Sequence, residues 1–266
     1  MSFGLRHDAL GPGALRLAYG RLKAMAYYRQ SGFSFGPPLT PIVKLLALFT
    51  GAIFILTYLP AQLFGWAYPF TWFGLRPYDV THNLFLWQPV TYLFLHGGLL
   101  HVAFNLFALW MFGSELERTW GSRRFLHYFF LTGIGAGLLN VVLEPSAIST
   151  TIGNSGAVYG ILLAYGLLFP DRPIFLWMII PVKAKWFVLG IGAIAFFNSL
   201  TSPGSGVSHI AHLGGMLFGL IYLRGGRLTG RAQWQYQEWR RARLRKKFEV
   251  YMHKQEKKDE AGRWIN

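Results

Sequence analysis

The chain contains no cysteine among its 266 residues. That absence excludes a disulfide framework, a thiolate metal site and a cysteine nucleophile, and it leaves the redox compartment open. Charge is also scarce. Asp, Glu, Lys and Arg together make up 14% of the residues, where a soluble domain carries about 25%. Acids are the rarest of these, 11 in total. No repeat of solenoid length and no low-complexity tract interrupts the chain. Apolar bulk fills it instead: 53% of residues are hydrophobic and 17% aromatic, and Trp and Tyr are enriched at membrane interfaces.

A helix needs about 20 mostly apolar residues to cross a hydrocarbon core roughly 30 Å thick. Six stretches qualify or nearly so, near 42–63, 98–116, 124–143, 155–169, 184–200 and 208–223. The fourth and sixth are short and rich in glycine. The expected domains are a basic segment over 1–38, a six-span core over 39–224 and a basic, helical tail over 225–266. Residues 231–258 carry Leu244, Phe248, Tyr251 and Met252 on one stripe, the pattern of a basic amphipathic helix.

The net charge of +15 invites a nucleic-acid reading, but its distribution argues otherwise. Basic residues crowd the two ends and the short loops around 117–123 and 170–183, which hold Arg118, Arg123, Arg124, Arg172, Lys183 and Lys185. The opposite loops, 64–97, 144–154 and 201–207, hold Arg76 alone. Such asymmetry puts both termini in the cytoplasm, fits anionic lipid at the basic ends and predicts no nucleic-acid partner. Segment 64–97, rich in Trp and Phe, is expected to lie in the outer interface. The basic start of the chain leads into no short apolar core with a small-residue cleavage site, so no cleavable signal peptide is expected.

Polar groups at membrane depth are costly and mark function. Three clusters occur. His96, His101 and Asn105 open the second span, with His101 and Asn105 four apart and hence on one helical face. Gly153-Asn154-Ser155-Gly156 opens the fourth, with Tyr159 one turn after the serine. His209 and His212, followed by Gly215 and Gly219, open the sixth. All three fall at the outer ends of their spans. Gly156 and Gly160, like Gly215 and Gly219, repeat at the spacing that lets helix backbones approach closely. Packing through those faces would bring Ser155 within hydrogen-bond reach of His212. A serine needs a base to become a nucleophile, and the oxyanion it creates needs fixed donors. His101, Asn105 and the Ser155 N–H can supply them, the last at a helix start. No acid lies at a suitable depth to orient His212, so a dyad is expected, with Tyr159 able to stack on the imidazole.

This constellation resembles the rhomboid family of intramembrane serine proteases over roughly residues 40–224. The matching motifs are Gly153-Asn154-Ser155-Gly156 with Tyr159, His101-Val-Ala-Phe-Asn105 preceded by His96, and Ala211-His212-Leu-Gly-Gly215-Met-Leu-Phe-Gly219. Gly113-Ser-Glu-Leu-Glu117 and Trp87-Gln88-Pro89 match as well. The resemblance implies an all-α membrane protein, six helices around an outward-open aqueous cavity, with the long first loop embedded sideways. It implies Ser155 as nucleophile, His212 as general base, and His101, Asn105 and the Ser155 amide as the oxyanion site. Substrates would be transmembrane proteins cut near the outer interface, with the fifth span and the 201–207 loop moving to admit them. Neither cofactor nor metal is expected, and a bacterial cytoplasmic membrane is the expected location. Gln88 departs from the Trp-Arg pair many members carry, which bears on how the first loop is anchored.

Plainer readings stand beside these. Ser155 alone reads as a helix N-cap, His212 alone as interhelical glue, and His101 with Asn105 as a helix tie. His96 and His209 read as loop or interface residues, and Glu115 and Glu117 as structural, capping or pairing with Arg118. A non-proteolytic relative that binds transmembrane helices is the alternative function, though such relatives usually lack the serine or the histidine. A transporter would show inverted halves, a zinc protease a His-Glu-x-x-His run, and an aspartyl protease a pair of spanning-helix aspartates; none is present.

Overall fold

A computed structural model describes residues 36–176, 179–201 and 208–225. The chain divides into two units, Met1–Pro38 and Leu39–Asn266, and every element below belongs to the second. The basic N-terminal segment, most of the 201–207 loop, and the tail with its amphipathic stretch lie outside the described residues.

Helix α1, Pro41–Phe64, starts on a proline whose missing N–H costs nothing at the first turn, and Gly65 ends it in the left-handed region (φ 67°). Its N-terminus is capped from elsewhere. The buried carboxylate of Glu117 accepts from the Ile42 and Val43 N–H groups and from the hydroxyls of Thr40 and Ser122. Glu117 is thus a cap in trans and not the partner of Arg118, which pairs with Glu115 as Arg172 does.

Residues 64–97 are folded into short pieces: α2, Tyr68–Phe73; α3, Pro77–His82; α4, Gln88–Thr91; and a 3-10 turn, Tyr92–Phe94. Trp72, Phe85 and Trp87 stack in series, and Leu75 pairs with Thr151 in an isolated bridge. Gln88, fully buried, fixes the segment by accepting from the Arg76 N–H at 3.0 Å and facing the carbonyls of Thr71 and Trp72. The amide therefore serves as an anchor at this position, beside the Arg76 guanidinium, which donates to the Ile148 carbonyl at 3.1 Å.

Helix α5 runs Leu99–Trp120 and widens to a π-helical turn over Leu109–Gly113. Helix α6, Ser122–Leu143, is the axis of the core: Phe125, Tyr128, Phe129, Thr132, Gly133, Ala136 and Gly137 are all buried. Helix α7, Ser155–Leu168, is apolar but has only 14 residues, about 21 Å at 1.5 Å per residue. An antiparallel hairpin, β1 Pro173–Leu176 with β2 Ile180–Lys183, follows in the register Pro173↔Lys183. Apolar periodicity gave no sign of it. Beside it, Asp171 pairs with Lys183 and Lys185, and the bond to Lys185 leads in holding its carboxyl below the usual range. Helix α8 is Ala184–Thr201, and helix α9 covers 209–225.

Helices α1, α5, α6 and α8 are long and apolar enough to cross a membrane. Their outward faces carry large apolar side chains such as Leu48, Leu56, Phe104 and Trp186, as lipid contact requires. The protein is an integral membrane protein, mostly helical. Helix boundaries fall within a few residues of the apolar stretches, the largest shift being the end of α5, carried on to Trp120.

Candidate active site

The site is assembled from the starts of three helices. Residues 151–154 lead into α7 through a tight turn. Thr151 is tied to Leu75 and to the Asn140 amide. Gly153 holds φ at +105°, a conformation other residues rarely adopt, and its N–H donates to the Tyr92 carbonyl at 2.8 Å. Ser155 is then the first residue of α7, so its N–H belongs to the unpaired donors of a helix start. Ser208 caps α9 by accepting from the Ala211 N–H at 3.2 Å, which places His212 in the first turn of that helix.

Glycines decide how α7 and α9 meet. A Cβ on Gly215 would collide with the Gly156 carbonyl, and one on Gly160 would lie 3.0 Å from the Gly215 carbonyl. Gly156 is closed off by the Ala136 methyl at 2.6 Å and the Ala211 carbonyl at 3.2 Å, and Gly219 by Tyr128. The two backbones are in direct contact, with α6 behind them.

This contact brings Ser155 to His212. Oγ of Ser155 and Nε2 of His212 are 2.8 Å apart, and a neutral imidazole accepting there carries its proton on Nδ1. That Nδ1 has no hydrogen-bond partner among the described residues, so no carboxylate orients the ring. Tyr159 does so by stacking: the rings are 4.2 Å apart and 4° from parallel. His209 stands edge-on to His212 at 5.9 Å.

A cavity of about 580 Å³ opens over the pair, lined among others by His101, Asn105, Ser155, Tyr159, Ser208 and His212. Asn105 donates one amide hydrogen to the His101 carbonyl at 2.9 Å, within its own helix; the second remains for the cavity. His96 does not line the cavity. It lies in the irregular stretch between Phe94 and Leu99, fully buried, and its ring lies 4.9 Å from that of His101. Asn154, in the middle of the Gly153–Gly156 motif, is equally buried, and the motif alone assigns its side chain no role.

A model of the rhomboid domain matches residues 84–226, over half of the chain and all of the elements that build the cavity. The chain belongs to the rhomboid family. Among curated relatives, this rhomboid chain is similar to Rhomboid protease GlpG of Serratia proteamaculans, 28% identical over 207 residues, or 76% of this chain and 69% of that protein. It is also similar to Rhomboid protease GluP of Bacillus subtilis, 33% identical over 140 residues, covering 51% of this chain and 25% of the relative. Rhomboid protein 1, mitochondrial, of Saccharomyces cerevisiae is 24% identical over 185 residues, 64% of this chain and 51% of the yeast protein. The chain thus spans about half the length of the yeast relative and less of the Bacillus one.

Proposed function

We propose that this rhomboid is an intramembrane serine endopeptidase that hydrolyses peptide bonds of transmembrane proteins near the outer membrane interface. The observation that carries the reading is the 2.8 Å approach of Ser155 Oγ to His212 Nε2 on the wall of a cavity that His101 and Asn105 also line. The relatives named as proteases support it.

His212 Nε2 takes the Ser155 proton as Oγ attacks the scissile carbonyl carbon. The carbonyl oxygen becomes an oxyanion that the Ser155 N–H, the His101 imidazole N–H and the free Asn105 amide hydrogen receive, aided by the α7 dipole. Collapse breaks the C–N bond, and His212 hands its proton to the leaving amine. Water then hydrolyses the acyl-enzyme with His212 again as base. Stacking on Tyr159 holds the ring in the plane that both transfers need, the task a carboxylate performs in a triad.

Helices α7 and α9 complete a six-span bundle with α1, α5, α6 and α8, and the basic ends and loops put both termini in the cytoplasm. In that orientation the short α7 begins well below the outer surface, so its serine sits at membrane depth while the cavity admits water. A substrate helix must unwind there, because helical peptide bonds are shielded from attack. Anionic lipid at the basic ends, and a bacterial cytoplasmic membrane, complete the reading.

The test is cleavage of a model single-span substrate by purified protein in proteoliposomes. Loss of cleavage in both Ser155→Ala and His212→Ala is expected; undiminished cleavage by Ser155→Ala would end the assignment.

A further inference from the structure

Asn154 and His96 have no part in the chemistry so far, yet both are costly to bury. Asn154 immediately precedes Ser155 and is 0% exposed, but neither its Oδ1 nor its Nδ2 reaches a partner at bonding geometry. It occupies the N-cap of α7, where an asparagine side chain ordinarily accepts a backbone N–H, and makes no such bond. His96, also 0% exposed, has Nδ1 3.3 Å from the Phe94 carbonyl. Donation there leaves Nε2 as an acceptor, and Nε2 too lacks a partner at bonding geometry. Asn154 directly follows Gly153, where an added Cβ would lie 3.7 Å from His96 Nε2. A donor and an acceptor, each unmatched, therefore flank the same glycine.

Buried polar atoms without partners destabilise a fold, and natural chains retain them chiefly at functional sites. Here the surroundings say which function. The His96 ring is packed 4.9 Å from the His101 ring, tilted by 59°. A Cβ on Gly153 would lie 2.8 Å from His101 Nε2 and 3.7 Å from His96 Nε2, so both imidazoles lie beside the turn that delivers the Ser155 N–H. The oxyanion donors of His101 and Asn105 come from α5 and that of Ser155 from α7. Asn154 and His96 sit where those halves join.

We propose that Asn154 and His96 are a positioning pair. Asn154 Nδ2–H donates to His96 Nε2, and His96, held in this way, braces His101 against the Gly153–Ser155 turn so that the His101 and Ser155 donors converge on one point. The pair touches neither substrate nor nucleophile; it acts through His101. This inference rests on the oxyanion role given to His101 above.

The test is steady-state cleavage in proteoliposomes by Asn154→Leu, His101→Ala and the double variant, with thermal unfolding of each. Leucine fills a similar volume without polar atoms and removes no cap bond, so Asn154→Leu is expected to melt no lower than the wild type. Its kcat should fall about tenfold at a KM changed less than twofold, the pattern of an interaction made only in the transition state. On the His101→Ala background the same substitution should cost nothing further. If the leucine variant does not fold, Asn154→Ser, which offers a capping hydroxyl but cannot reach His96, gives the same readout. A tenfold loss repeated in full on His101→Ala, or an Asn154→Leu enzyme with wild-type kcat, would overturn the pair. A fully active His101→Ala enzyme beside an inactive Ser155→Ala one would overturn the pair and the oxyanion role together, while leaving the dyad in place.

Discussion

Helices α7 and α8 follow one another in the chain and are both apolar, yet they are built to opposite plans. In α7 the residues Gly156, Ala157, Val158, Gly160, Ile161, Leu162, Ala164, Tyr165 and Gly166 are buried, and two glycines touch the backbone of α9. In α8 only Ala184, Val188 and Ala195 are buried, and Leu189, Ile194, Phe196 and Phe197 face outward. Helix α6, which packs behind α7, sharpens the contrast: half of its apolar window is buried against 17% for α8. Without a hydrophobic force between helices in lipid, close packing of small residues holds a bundle together. The glycines that bring backbones together lie where the serine and histidine must not move, whereas Gly190 on the outer helix meets open space.

The contrast can be broken most forcefully at Gly215. Gly215→Val drives a side chain into the Gly156 backbone, where nothing flexible can yield. It should destabilise the protein by about 3 kcal/mol or more and abolish cleavage, as read by thermal unfolding in detergent and by substrate turnover. Glu117→Ala attacks the inner bundle from its other end. It strips the acceptor from two α1 N–H groups and two hydroxyls, and should cost about 2–3 kcal/mol of stability, with cleavage retained below the lowered melting temperature. Tyr159→Ala separates position from stability: kcat should drop about tenfold, or roughly 1.4 kcal/mol of barrier, while Tyr159→Phe, which keeps the stacked ring, should stay within twofold of wild type. Leu189→Ala on the outer face of α8 sharpens the comparison by doing little, shifting stability by less than about 0.5 kcal/mol.

Much of this was legible in the residues. Span boundaries followed from apolar run lengths, and the glycine spacing in 156–160 and 215–219 anticipated a face that the structure shows in backbone contact. Ser155 and His212 were named from their neighbours in sequence, and the structure brings them to 2.8 Å. What composition could not reveal depends on long-range partners. Glu117 reads as a local helix-end acid because its α1 partners, Ile42 and Val43, are some 75 positions away. His96 reads as a loop residue because its burial comes from the 151–154 turn folding over it. The hairpin Pro173–Leu176 with Ile180–Lys183 is too short for its alternation to stand out from apolar surroundings. Gln88 looks like a simple departure from a family pattern, and only its place beneath Arg76 and Trp72 shows that its amide supplies an anchor.

The central claim is that Ser155 is a nucleophile made reactive by His212. Incubating the membrane-reconstituted protein with a fluorophosphonate probe and mapping the adduct by peptide mass spectrometry tests this most directly. The expected result is a single adduct on Ser155 that disappears in His212→Ala, although that variant melts like the wild type. An adduct elsewhere, or labelling of Ser155 that persists undiminished without the imidazole, would contradict it.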